Sequence, residues 1–198
     1  LGNPNVGKST LMNQLVGERI SIATFKAQTT RHRIMGIVNT DDMQIVFSDT
    51  PGVLKPNYKL QESMLAFSES ALQDADVLLY VTDVVENPEK NMDFLEKVQK
   101  MTIPVILLIN KIDELGTAVS GSPADTPQQT LAAIVEKWHT LLPNAEILPI
   151  SAKNKFGTDM LLMRIQELLP ESPAYFDKDQ LTDKPARFFV SEIIREKI

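Results

Sequence analysis

The chain has 198 residues, 43% of them hydrophobic, and its 26 acidic residues outnumber 20 basic ones to give a formal net charge of −6. This length and composition suffice for one substantial core, so we expect one main domain with a short remainder. The lack of cysteine excludes disulfide bonds, thiolate metal sites and cysteine nucleophiles, and suits a reducing compartment. No apolar run approaches the roughly 20 residues that span a bilayer and no signal peptide is visible, so we expect a soluble, cytoplasmic chain.

The chain begins with a glycine-rich motif that predicts phosphate binding. Residues 2–9 fit the pattern G-x-x-x-x-G-K-[ST], and a predicted helix over 9–16 follows directly. Glycines let backbone N–H groups approach phosphates, and the positive end of the helix attracts the same anion. We expect Lys8 to reach the β- and γ-phosphates and Ser9 to hold Mg²⁺; the alternative, a glycine turn with an incidental lysine, does not account for the helix. The phosphate-binding candidates here are Gly2, Asn3, Pro4, Asn5, Val6, Gly7, Lys8, Ser9 and Thr10.

The hydrophobic periodicity beyond this motif predicts alternating strands and helices. Predicted strands cover residues 34–38, 43–47, 77–82, 103–109 and 146–150, and predicted helices cover 60–72, 87–100, a segment that opens with a capping box at 126–129, and 156–169. Along helix 87–100 we expect Met92, Leu95 and Val98 to face the core. The alternation implies a doubly wound α/β domain with a mostly parallel sheet covered on both faces.

Two segments depart from this alternation. Residues 116–123 are of low complexity and are predicted to form a flexible surface loop. A strand normally delivers a phosphate loop, yet no residue precedes Leu1, so we expect that the first strand is missing from this sequence.

Two polar boxes follow predicted strands of the sheet. One spans residues 110–113 and the other 151–153, at the carboxyl ends of strands where ligands bind in open α/β sheets. Asp113 can accept two hydrogen bonds from the N1–H and exocyclic amine of guanine, a pattern that adenine does not offer. Each box alone is a weak match with a solvated strand end as its alternative, but their order and spacing favour a guanine pocket. Its candidate residues are Asn110, Lys111, Asp113, Ser151, Ala152 and Lys153.

Within this pocket we expect Asn110 to tie its box back to the phosphate loop and the stem of Lys111 to lie over the guanine ring.

Two more motifs complete a family resemblance. Residues 49–52 read Asp-Thr-Pro-Gly, and the most distinctive segment is Lys26, Ala27, Gln28, Thr29, Thr30, Arg31, His32 and Arg33. With the boxes above, the chain resembles the translation-factor-type small GTPases, and more closely the bacterial Era family. The resemblance covers residues 1–170 as a GTPase domain, followed by a linker at 171–186. Residues 187–198 resemble the start of an RNA-binding KH domain, which we expect to be truncated.

The resemblance implies the roles of the switch residues. Asp49 would hold Mg²⁺ through water, and Thr30 would coordinate it in the triphosphate state, with Thr29 as the alternative. The backbone N–H of Gly52 would bond the γ-phosphate, which makes Lys8, Thr30 and Gly52 the catalytic candidates.

Val53 and Asn5 bear on how GTP would be hydrolysed. Ras-like enzymes carry a water-orienting glutamine where this chain has Val53, so the resemblance implies slow intrinsic hydrolysis and a catalytic element supplied by another residue, a monovalent cation or a partner. Asn5 is the candidate K⁺ ligand, since related GTPases use an asparagine there; alternatively, Asn5 only shapes the turn. The cluster Arg31, His32 and Arg33 stays open between a solvated basic patch and a direct catalytic or RNA role.

The resemblance implies a GTPase that converts GTP and water to GDP and phosphate with Mg²⁺ and, through Asn5, K⁺. By the same resemblance it would assist small ribosomal subunit assembly and rRNA maturation. The missing C-terminal domain would make the RNA contacts. A peripheral membrane contact is compatible with the resemblance, and no DNA binding is expected. The alternatives are a Der- or MnmE-like GTPase acting on the large subunit or on tRNA modification, and a non-catalytic GTP-dependent adaptor. The negative net charge indicates that the visible chain alone binds nucleic acid weakly.

Overall fold

The computed structural model describes residues 1–21, 30, 32–52, 59–88, 92–115 and 127–197. The strands are β1 (Ile34–Asn39), β2 (Gln44–Asp49), β3 (Leu78–Asp83), β4 (Val105–Asn110) and β5 (Glu146–Pro149). The helices are α1 (Lys8–Val16), α2 (Lys59–Gln73), α3 (Met92–Gln99), α4 (Pro127–Leu141), α5 (Thr158–Leu168) and α6 (Ala186–Lys197), with a short 3₁₀ turn at Ile112–Glu114. The predicted loop at 116–123 lies outside the described residues.

Strands β3, β4 and β5 form a parallel sheet in that order, with Tyr80 opposite Leu107 and Leu108 opposite Leu148. Their continuous apolar runs are typical of strands covered on both faces. Side chains alternate along β4, so Leu108 packs with α1 and α5 while Leu107 packs with α3 and with Trp138 of α4. The α/β architecture expected from the sequence is therefore confirmed.

Strands β1 and β2 form a separate antiparallel hairpin. A segment from the predicted linker lies along this hairpin: Ile37 N–H donates to Leu181 O at 2.9 Å, and Gln44 Oε1 accepts from Phe176 N–H at 3.0 Å. These bonds order the segment against the domain.

The first residue lies beside the parallel sheet. The nitrogen of Leu1 donates to Leu79 O at 2.6 Å, and its carbonyl accepts from Val81 N–H at 2.7 Å. This is the pattern of a parallel bridge, with Leu1 opposite Tyr80. The phosphate-loop motif therefore starts beside β3, near the carboxyl ends of the parallel strands.

Two details of the helices differ from the sequence prediction. Met92 is 38% exposed, so the expectation that it faces the core is wrong; Phe94, Leu95 and Val98 define the buried arc, and Met92 lies at its edge. Helix α5 begins at Thr158 and not at residue 156, because Gly157 has a left-handed φ of 77° that ends the preceding turn. In the described part of the chain, no helix has both the length and the apolar character needed to cross a membrane.

Candidate functional site

The phosphate loop is packed directly against the ends of two strands. Gly2 and Gly7 have φ values of 138° and 95°, which side chains rarely adopt. A Cβ on Gly2 would lie 2.0 Å from Val81 O, and one on Gly7 would lie 2.3 Å from Asn110 Nδ2. Helix α1 starts immediately afterwards with no side-chain cap on its first N–H groups. The loop thus brings a helix amino terminus to the edge of the sheet, which is a site suited to phosphate.

Lys8 bends back over this loop. Its Nζ donates to Asn3 O at 2.6 Å and to Gly2 O at 3.1 Å. Burial lowers the pKa of Lys8 to about 8, while the carboxylates of Asp49 and Glu86 act in the opposite direction. A phosphate group placed here would give the ammonium a better partner than the loop carbonyls.

Three oxygen-bearing side chains meet at the start of α1. Ser9 Oγ donates to Asp49 Oδ2 at 2.7 Å and lies 3.0 Å from Thr30 Oγ1. Asp49 and Thr30 are both buried. Hydroxyl and carboxylate oxygens are the ligands that Mg²⁺ prefers, so this donor set fits the ion. Among the described residues, no group of three or more His, Cys, Asp or Glu side chains could hold a metal ion.

Gly52 lies close to Pro4 of the phosphate loop. A Cβ at this position would come within 2.6 Å of Pro4 N, so only glycine allows this approach. The other predicted switch residues Thr29, Arg31 and Val53 lie outside the described residues. Asn5, the candidate K⁺ ligand, is exposed and has a φ of 66°, a left-handed conformation that asparagine tolerates.

The two polar boxes contact each other through hydrogen bonds. Asn110 is buried, its Nδ2 donates to Val6 O at 2.8 Å, and its Oδ1 accepts from Ala152 N–H at 2.9 Å. One amide therefore joins the phosphate loop to both boxes. Ser151 Oγ donates to Asp113 Oδ1 at 2.5 Å, which orients the carboxylate predicted to read guanine. Lys153 is exposed at the rim.

His32 and Arg33 join the start of β1 to two helices. Arg33 Nη1 lies 2.7 Å from Asp74 Oδ2 of the α2 end, and its side chain is only 18% exposed. The ring centroid of His32 lies 6.1 Å from that of Phe67 in α2 and 6.1 Å from that of Phe188 in α6. Arg33 is accordingly not the freely solvated charge that the basic-patch alternative supposes.

Sequence reasoning missed two carboxylates at the carboxyl end of β3, of which Asp83 is the last strand residue and Glu86 lies in the turn that follows. Asp83 Oδ2 lies 2.7 Å from Lys111 Nζ, and Glu86 accepts hydrogen bonds from Thr82 Oγ1 at 2.6 Å and from Asn3 Nδ2. Burial raises the pKa of Glu86. The signal was present, since carboxylates directly after a buried parallel strand lie at the ligand-binding edge of the sheet.

Comparison with known proteins identifies relatives of this chain. Residues 1–111 match the family model described as 50S ribosome-binding GTPase. The full chain is 43% identical to the GTPase Era of Lactobacillus helveticus and 41% identical to the GTPase Era of Clostridium kluyveri, covering 62% and 64% of those proteins. The chain therefore spans less than two thirds of the length of these relatives.

Solved structures show the same relationship. Era in complex with MgGDPNP and nucleotides 1506–1542 of 16S ribosomal RNA is 37% identical, with a TM-score of 0.87 over 99% of this chain and 64% of that one. A single-residue variant of Aquifex aeolicus Era bound to GDP and AlF4⁻ is 39% identical, with the same TM-score and the same coverage of both chains. The resemblance to Era-type GTPases predicted from the sequence is confirmed, and the chain belongs to the family of 50S ribosome-binding GTPases.

Proposed function

We propose that this chain binds guanine nucleotides and hydrolyses GTP to GDP and phosphate. The observation that carries the proposal is the amide of Asn110, which bonds both the phosphate loop at Val6 and the second base box at Ala152. The elements suited to phosphate and to the base therefore form one continuous site. The family membership and the nucleotides bound to the two solved Era structures support the same reading.

Each residue has a defined part in this proposal. The loop N–H groups and the charge of Lys8 hold the phosphates, and the N–H of Gly52 bonds the γ-phosphate. Ser9, Thr30 and Asp49 would hold Mg²⁺, which, when bound, neutralises charge on the phosphate oxygens. Val53 has no polar group with which to orient water. We infer that the element that orients the attacking water comes from elsewhere.

Base recognition offers the sharpest test. Asp113→Asn replaces an acceptor with a donor opposite the guanine amine, so GTP should bind about 30-fold or more weakly, since losing a charged pair of this kind costs about 2–5 kcal/mol. Xanthosine triphosphate should become the preferred substrate. Phosphate release from GTP, ATP and xanthosine triphosphate measures this, with the exposed Asp42→Asn as the matched control. GTP affinity unchanged by Asp113→Asn would remove the carboxylate from the base pocket.

We also propose that Asn5 helps to bind K⁺ near the phosphates. Its support is its place in the loop and its exposed, left-handed conformation, which the turn-forming alternative explains equally well. Hydrolysis in K⁺ should exceed hydrolysis in Na⁺ at equal ionic strength, and Asn5→Ala should abolish the difference. Equal wild-type rates in both salts would leave Asn5 as a turn former.

The ribosomal role is a further part of the proposal. We infer that the full-length protein assists small-subunit assembly and binds ribosomal RNA through a KH-like domain that starts at 187–198. The 16S RNA in the related Era structure supports it, as do the exposed apolar side chains Val190, Ile193 and Ile194 on α6. We propose that the protein acts in the cytoplasm.

The 50S subunit named in the family description favours the large subunit as a second candidate. Binding of full-length protein to isolated small and large subunits, at one fixed salt concentration and with GTP or GDP, discriminates between them. Preferential binding to the large subunit would overturn the small-subunit proposal. Phosphate release in the same samples separates a hydrolysing enzyme from a GTP-dependent adaptor.

A further inference from the structure

The carboxylate of Asp83 is held at both of its oxygens. Oδ1 accepts from Val85 N–H at 3.1 Å, which shapes the turn after β3, and Oδ2 lies 2.7 Å from Lys111 Nζ. The Asp83 side chain is 7% exposed and that of Lys111 is 27% exposed. Asp83 pairs with Asn110 across β3 and β4, so the ion pair spans neighbouring strands at the ligand edge of the sheet. The carboxylate is thus a rigid acceptor in a partly buried place.

The conformation of Lys111 carries two energetic costs, one in its backbone and one in its side chain. Its backbone has a φ of 62°, a left-handed conformation that a residue with a Cβ adopts at a cost. Its side chain has four rotatable bonds, and ordering a lysine side chain removes much rotamer freedom. The ion pair with Asp83 orders the side chain before any ligand arrives, which is the condition under which a contact contributes most to affinity.

We propose that Asp83 is a positioning residue for base recognition: it holds the stem of Lys111 over the plane of the guanine base and so sets nucleotide affinity without touching the nucleotide. This inference rests on the proposed binding of guanine nucleotides and on the expectation from the sequence that the stem of Lys111 lies over the base.

The neighbouring carboxylate provides a contrast. Glu86 lies on the same turn but bonds Thr82 and Asn3, the second of which belongs to the phosphate loop. The two carboxylates therefore support opposite ends of the site. Asp83 acts on the base end through Lys111, whereas Glu86 acts on the phosphate end.

This division allows a test with two ligands. GDP occupies both ends of the site, while inorganic tripolyphosphate has no base and uses only the phosphate end. In full-length protein, Asp83→Asn should weaken GDP about tenfold and change tripolyphosphate affinity less than about twofold, as measured by titration and competition. Asparagine keeps an oxygen for Val85 N–H, so the turn is retained, and a thermal melt verifies the fold. Asp83→Glu, which restores a carboxylate, should recover part of the GDP affinity.

Three further variants make the outcome decisive. Lys111→Met should weaken GDP, and the double variant Asp83→Asn/Lys111→Met should be no weaker than Lys111→Met alone, because Asp83 acts through the lysine. Glu86→Gln should leave the ratio of GDP to tripolyphosphate affinity unchanged. If Lys111→Met weakens GDP but Asp83→Asn does not, the positioning role is overturned and the proposed base pocket stands. If Lys111→Met has no effect on GDP affinity, the positioning role of Asp83 is overturned, while the base pocket is still judged by Asp113→Asn. Equal losses of affinity for both ligands in Asp83→Asn would show that Asp83 only maintains the fold.

Discussion

The proposed base pocket and the proposed phosphate site differ in how their polar groups are paired within the protein. In the base pocket, Asn110 and Ser151 form hydrogen bonds with other groups of the protein, and a bound nucleotide would leave these bonds in place. At the phosphate site, Lys8 bonds the carbonyls of its own loop and Ser9 bonds Asp49 directly, so these groups already use the atoms that phosphate and metal would take. The base pocket is therefore preformed, whereas the phosphate site must exchange partners on binding. Preformed contacts contribute more of their interaction energy to affinity.

The largest effect that tests this contrast comes from Lys8→Met, which removes the charge and keeps most of the side-chain volume. We expect GTP affinity to fall about 10³-fold, equivalent to about 4 kcal/mol, because several charge-assisted hydrogen bonds to phosphate are lost. The nucleotide-free protein should melt at an unchanged or higher temperature, since burial already lowers the pKa of Lys8 to about 8 and so disfavours its charge in the folded state.

Calorimetric titration and thermal melts of the two proteins measure both effects, with the exposed Lys100→Met as control. A large loss of stability without nucleotide would contradict the view that the phosphate site lacks optimal partners when empty.

The second test concerns the preformed side. Asn110→Ala leaves the carbonyl of Val6 and the N–H of Ala152 buried without these partners. Each of the two orphaned groups costs about 1–3 kcal/mol, so the free energy of unfolding of the nucleotide-free protein should fall by about 2–6 kcal/mol. Denaturant unfolding measures it, and Asn154→Ala at an exposed position is the matched control. Reduced GTP affinity with unchanged stability would mean that the base pocket forms only with its ligand.

The smallest effect is a pH dependence at the phosphate end. Burial raises the pKa of Glu86 above its ordinary value of 4.5, so the folded protein holds a proton that the unfolded chain has released. The stability that this provides is complete below about pH 4.5 and is lost as the pH rises through the folded-state pKa. Glu86→Gln cannot ionise, and its amide can still accept from Asn3 and donate to Thr82.

The melting temperature of Glu86→Gln should therefore rise relative to wild type as the pH increases from about 4.5 to 7. Melting curves across this range test the sign, with Glu96→Gln at an exposed position as control. A constant difference between the two proteins would show that folding does not change the pKa of Glu86.

Much of the fold and of the site was readable in the sequence because its determinants are local. The apolar runs of β3 and β4 predict buried parallel strands, and the glycines of the phosphate loop are required by φ values of 138° and 95°. The boxes at 110–113 and 151–153 lie at strand ends, where a parallel sheet collects ligand-binding groups. The ends and buried faces of helices were harder to predict from the sequence. Met92 illustrates this, because it lies in the first turn of α3 at the edge of the buried arc.

The sequence by itself determined the fold class, the glycine-rich loop at residues 2–9 and the positions of the two polar boxes, since each depends on residue type within a short window. Only the tertiary structure decided which distant side chains meet: Asp83 with Lys111, Arg33 with Asp74, and Glu86 with Asn3. These partners are separated by 28, 41 and 83 residues along the chain. Their meeting follows from strand register and helix placement, which the packing of the whole core sets and which no local pattern encodes.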